Sequence, residues 1–168
     1  MSSLLADEHS TQRPREPEPR CPIDTFQLRR NIAGVDTELL VQTFDDRILV
    51  LITQNGKVGP LASLPPVVEL QPPPSEETPT GLSALPPPPS SIHLTPLLGS
   101  PVDTALHDLY VSQIATLIWW SLQLSHATRR NVIVGLTLAK RKVEAVDEAE
   151  RERFGGIANM VAAWPGPK

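Results

Sequence analysis

The sequence predicts an α+β domain in which an antiparallel or mixed sheet of about six strands packs with two helices. Three observations carry that expectation. Apolar and polar residues alternate over residues 24–64, a period of two that belongs to strands. They recur every three or four residues over 100–124 and again near the C-terminus, the period of helices. The prolines are concentrated: ten of 19 lie in residues 65–91 and four more between Pro14 and Pro22. Setting those stretches aside leaves about 120 residues, enough for one core of ordinary domain size.

Residues 1–22 mix Pro, Glu, Arg and Ser without a period, so they are expected to form a disordered tail ahead of a single domain over 23–164. From Asp24, Phe26, Leu28 and Ile32 alternate with Gln27, Arg29 and Asn31 as a first half-buried strand. Gly34, Val35 and Asp36 supply a turn. Leu39, Leu40, Val41 and Phe44 make a second strand, and Asp45-Asp46 turn the chain again. Ile48, Leu49, Val50, Leu51 and Ile52 are rich in β-branched residues and are expected to form a central strand buried on both faces. Asn55-Gly56 is a type I′ hairpin signal, because both central residues of that turn need positive φ. It predicts a fourth strand over 57–64 that completes a meander. Pro60 cannot donate to a ladder, so this strand is expected at an edge or with a bulge.

The segment 65–91 is expected to be a disordered, extended insertion interrupting the domain. Ile92, His93 and Leu94 begin a short strand that ends near Leu97, Leu98 and Gly99. Ser100 as N-cap, Pro101 at the first helical position and Asp103 as a capping box predict the start of a long core helix. Its apolar face is expected to hold Val102, Leu106, Leu109, Tyr110, Ile114, Leu117, Ile118 and Leu124. Residues 131–138 make another buried strand. A last helix begins at 147–150 and buries Phe154, Ile157, Val161 and Trp164, although Gly155-Gly156 weakens it by about 1 kcal/mol per glycine.

Charge and composition exclude several functions. With 15 Lys+Arg against 19 Asp+Glu, the net charge of −4 offers no broad basic surface, so neither nucleic acid nor an anionic membrane is an expected partner. The longest apolar run is five residues, too short for a membrane-spanning helix. One cysteine, Cys21, cannot close an internal disulfide, which fits a reducing compartment: the cytoplasm, with the nucleus as a second location.

The reactive groups do not assemble into chemistry. His93, His107 and His126 are scattered, and His107 beside Asp103 is read as a surface pair rather than a metal site. Cys21-Pro22 has no second haem ligand near it. Gly56-Lys57-Val58-Gly59 lies between strands, whereas a phosphate loop must open a helix, so it is read as a turn. Glu144, Asp147, Glu148, Glu150 and Glu152 alternate with Lys140, Arg141, Lys142, Arg151 and Arg153 as a solvated helix face would. No catalytic residue, metal ligand or cofactor is therefore assigned. Trp119 and Trp120 lie about 100° apart on the long helix; with Trp120 in the core seam, Trp119 leans to the rim as a candidate partner contact. Arg129 and Arg130, next to the last strand, are further candidates for pairing with acidic groups of a partner.

The stretch Ile48-Leu49-Val50-Leu51-Ile52-Thr53-Gln54-Asn55-Gly56-Lys57-Val58-Gly59, continued by Leu61, Ser63, Leu64 and Pro65, resembles the buried strand, hairpin and following strand of the proteasome assembly chaperone three family, in a divergent, fungal-type form. Ile32-Ala33-Gly34-Val35, Leu97-Leu98-Gly99, the strand at 132–138 and Trp164 support the likeness, which covers residues 24–64 and 92–138. The chain departs from that pattern at Pro60, in the long proline-rich connection, in its N-terminal tail and in a charged extension at 139–147. The resemblance implies a non-catalytic chaperone that dimerises with a sister assembly chaperone, or with itself, and holds α-type subunits while the ring of the 20S core particle forms. Under it, the insertion with Glu69, Glu76 and Glu77 is expected to order against a partner.

Two other functions compete. A scaffold or adaptor would present the polyproline runs to SH3- or WW-type modules, with the sheet as carrier. An enzyme would need a cleft holding a perturbed titratable group, and the surroundings of His107 and Asp103 are the place to look for one.

Overall fold

The computed structural model describes residues 23–54, 56–67, 69–72, 84–140 and 148–167. The expected tail, Asn55, Glu76 and Glu77 lie outside these residues. Strands β1 (Asp24–Ile32), β2 (Val35–Thr43) and β3 (Arg47–Thr53) form an antiparallel meander, as their alternation and the intervening turns require. Gly34 at φ +80 supplies the left-handed turn between the first two.

The meander breaks at the fourth strand. The sheet order is β1-β2-β3-β6-β4-β5, with β6 (Asn131–Thr137) parallel to β3 and antiparallel to β4 (Leu61–Leu64). The expected Asn55-Gly56 hairpin between adjacent strands is therefore incorrect. Gly56 has positive φ, at +64, but the chain then crosses the end of β6 to reach its far side. Gly59 makes that crossing possible: a Cβ there would collide with the carbonyl of Leu136 and the hydroxyl of Thr137. Pro60 precedes β4 instead of lying within it, and its carbonyl accepts the Leu136 N–H at 3.3 Å. The irregularity expected of this strand is a register shift at Leu61/Ala62 against β5 (Thr95–Leu98), which takes the sheet edge.

Burial shows that one face of the sheet is covered. Leu39, Val41, Ile48, Val50, Ile52, Val132, Val134 and Leu136 are each at most 3% exposed, whereas Leu40, Leu49, Leu51 and Ile133 between them are only partly buried. Among the described residues, strand β3 is thus sealed on one side only, not on both as expected. Helices α1 (Thr104–Leu124) and α2 (Glu148–Ala162) pack on each other and on the sealed side, α1 over β6 and α2 over β1 and β2. Gly156 belongs to that packing: a Cβ would lie 2.6 Å from the Ile32 side chain, so a glycine that weakens the helix locally lets it approach the sheet.

Helix α1 begins later than expected. Asp103 is the N-cap, its carboxylate accepting the Leu106 N–H at 2.9 Å, and Val102 is fully exposed. Leu109 and Leu124 are also exposed, while Gln113, Thr116 and Trp119 are buried. Gln113 is buried because described parts of the connection 65–94 pack against the core instead of being solvated throughout. Val67, Pro86 and Pro89 are buried, and Leu70, Leu85, Ile92 and Leu94 lie against the core. Gln113 Nε2 donates to the Pro86 carbonyl at 3.0 Å. A segment expected to be a solvated spacer covers a helix face that would otherwise meet water.

Candidate functional site

The candidate site is the face of the sheet that, among the described residues, no helix covers. One cross-strand row runs over five strands: Leu40 opposite Leu51, Leu51 opposite Gly135, Gly135 opposite Leu61, and Leu61 opposite Leu98. The next row sets Gln42, Leu49, Ile133 and Ser63 side by side. Side chains two residues apart on a strand share a face, so these positions form one surface, apolar except at Gln42 and Ser63. At Gly135 an added Cβ would come within 2.7 Å of Leu51 Cδ2 and 2.9 Å of Leu61 Cδ2. The two leucines therefore close over the glycine and the centre of the surface is filled. Val58, 58% exposed, joins the leucines over the same glycine at 3.5 Å from an added Cβ, and Leu98, 65% exposed, extends the surface to the β5 edge.

A polar border closes the opposite end. Arg29 Nη2 meets Asp36 Oδ2 at 2.9 Å, Arg29 Nη1 lies 3.5 Å from Glu38 Oε1, and Asn31 Nδ2 donates to Asp36 Oδ1 at 2.9 Å. The hydrogen bonds from Asn31 and Arg29 hold the Asp36 carboxyl below its ordinary range, and Asp36 holds Arg29 above its own. Gln27, Arg29, Glu38, Leu40, Leu51 and Gly56 frame a shallow concavity there. The alternation of Glu38, Leu40 and Gln42 with buried neighbours carried this surface in the sequence; its contiguity needed the strand order.

Beneath the covered face lies a polar network that the sequence did not suggest. Glu150 and Arg153, expected on a solvated helix face, are 4% and 6% exposed. Arg153 donates to Glu150 through Nε at 3.1 Å and Nη2 at 2.5 Å, and to the Ala139 carbonyl at 3.0 Å. Tyr110 donates its hydroxyl to Glu150 Oε1 at 2.6 Å, and its ring meets Phe154 edge-on at 4.9 Å. Burial, then the Glu150 carboxylate, push the Tyr110 hydroxyl well above its ordinary value. Gln54 continues the chain of bonds, accepting the Ala139 N–H at 2.9 Å and donating to Thr37 at 3.0 Å. Tyr110, Glu150, Arg153, Gln54 and Thr37 each have a partner, so the network ties α1, α2 and the strand ends together.

Of the residues singled out as partner contacts, Trp119, Arg129 and Arg130 turn towards their own chain. Trp119 is fully buried and donates Nε1 to the Arg130 carbonyl at 3.0 Å, so it is core and not rim; Trp120 is the half-buried ring. Arg129 donates to the Val67 carbonyl at 2.8 Å and to Gln123 Oε1 at 2.6 Å, and Arg130 donates to the Phe44 carbonyl at 2.7 Å. These arginines hold loops of their own chain. Glu69 is exposed. His107 pairs through Nδ1 with Asp108 at 3.3 Å and not with the side chain of Asp103, which caps the helix. Among the described residues, no group of three or more His, Cys, Asp or Glu is placed to hold a metal ion.

No family model and no curated protein matches the sequence. The fold is similar to that of a chain in the crystal structure of a chaperone complex for yeast 20S proteasome assembly. The TM-score is 0.51 at 15% identity, over 83% of this chain and 99% of that one. At that identity the likeness is one of fold, and the solved structure comes from the class of complex that the sequence resemblance indicates.

Proposed function

We propose that this protein is a non-catalytic chaperone of 20S proteasome assembly. It works as a dimer with a sister chaperone of the same fold, or with a second copy, and holds α-type subunits in the cytoplasm. The observation that carries this reading is the open apolar face. A row of four leucines and Gly135 across five strands of a sheet, which the described helices seal only on its other side, is an interior surface awaiting a second layer. A like sheet is the natural occupant, since two sheets stack face to face with about 10 Å between them and interdigitate alternate side chains. The fold likeness to a chain of an assembly chaperone complex supports the choice of partner.

Such a chaperone acts through differential affinity. It binds unfinished intermediates and leaves when later subunits cover the same surface. The packed ends of the proline-rich connection favour this reading over an adaptor, because a segment built into the core is not freely offered to a module.

The test is the assembly state of the Leu51→Asp variant. A charge in the central row is expected to convert a dimer in native mass spectrometry to a folded monomer and to abolish co-purification with α-type subunits. A wild-type chain that stays monomeric and free of such subunits when isolated from its own cells would sink the proposal.

A further inference from the structure

Within the proline-rich connection, burial follows a period over residues 85–89. Leu85 packs against the core, Pro86 and Pro89 are buried, Pro87 is exposed and Pro88 is half-buried. A return every third residue is the repeat of a polyproline II helix. Gln113, 5% exposed on α1, grips this run by donating Nε2 to the Pro86 carbonyl at 3.0 Å. The Ile92 N–H closes on the Pro89 carbonyl at 3.1 Å. Dedicated recognition grooves read such runs as a P-x-x-P pair docked on an apolar surface. Here Pro86 and Pro89 are that pair, and they face the chain's own core.

We propose that residues 85–89 are a polyproline ligand held in cis. The fold buries the two prolines that a partner's aromatic-lined groove would need, with Gln113 of α1 holding the Pro86 carbonyl, and leaves Pro87 exposed and Pro88 half-buried. The run becomes available when the Gln113 grip is released. This does not depend on the chaperone reading, and it gives the recognition motif a closed and an open state. The closed state is favoured by burial of Leu85, Pro86 and Pro89, and the Gln113 hydrogen bond adds to it.

The experiment measures binding of a purified EVH1-type domain to three species: a synthetic peptide of residues 84–91, the full-length chain, and the full-length Gln113→Leu variant. That substitution keeps the buried volume and removes the donor. The domain is expected to bind the peptide, to bind the wild-type chain at least about 10-fold more weakly, and to regain about 5-fold in the variant, the factor one net hydrogen bond supplies. Equal affinity for peptide and wild-type chain overturns the proposal, as does a domain that ignores the peptide. A variant that is folded by circular dichroism yet binds no better than wild type also overturns it. If the variant unfolds, the comparison of peptide with wild-type chain decides.

Discussion

Leu51 and Gly135 stand opposite each other across the parallel β3–β6 pair, and the missing Cβ lets Leu51 close over the centre of the open face. In Gly135→Ala the ends of Leu51 and Leu61 must move outward. Crowding of that kind costs about 1–3 kcal/mol, offset by up to about 1 kcal/mol because alanine is the better strand residue. A urea titration is expected to show a small loss of stability. If the proposed face-to-face dimer forms, sedimentation of the same variant is expected to show a much larger loss of dimer, because the moved leucines roughen the face proposed to stack.

Two glycines of one loop separate steric need from conformational need. Gly56 has φ +64 and open space around its missing Cβ, so Gly56→Ala is expected to cost about 1–2 kcal/mol for the left-handed backbone alone. A Cβ on Gly59 would meet the backbone of Leu136, which cannot rotate away. Gly59→Ala is therefore expected to be the more destabilising of the pair in denaturant unfolding, with loss of the β4–β6 pairing visible in amide exchange.

The Glu150–Arg153 pair is buried on both sides, at 6% and 7% side-chain exposure. Removing one partner leaves an uncompensated charge in the interior, so Glu150→Ala is expected to cost about 3–5 kcal/mol. The double variant Glu150→Leu, Arg153→Leu is expected to recover much of that loss in the same titration. Equal costs for single and double variants would refute the coupling.

Tyr110 sets an alkaline limit. Its hydroxyl is held above the ordinary value near 10, so between that value and its folded one the unfolded chain ionises and the folded chain does not. The folded state then binds the extra proton, and unfolding becomes easier as pH rises. Below pH 10 this contribution is constant. Tyr110→Phe is expected to flatten the fall in stability above pH 10 while lowering the neutral-pH value through the lost bond to Glu150. Chemical denaturation at a series of pH values reads both effects.

Legibility differed from element to element for physical reasons. The strand segments around Leu39–Leu40 and Ile48–Ile52, the existence of α1 and the Ile157–Val161–Trp164 stripe were legible because they are local; that only one side of Ile48–Ile52 is sealed was not. Trp119 was placed on the rim and Glu150 and Arg153 in water because their burial depends on other segments. The connection packs beside α1, and the strand ends and Tyr110 enclose the start of α2. A proline-rich run looks solvated until something nearby accepts its apolar faces. The open face was present position by position, but its row of leucines exists only when β6 separates β3 from β4.

By itself the sequence determined which segments form strands and helices, since the two periods follow from spacing along the chain. Tertiary structure alone decided that β3 takes as its neighbour a strand arriving some 80 residues later, not the one just past Gly56. Pairing energy is similar for either neighbour, and the choice falls to the arrangement that buries Val132, Val134 and Leu136 between the sheet and α1.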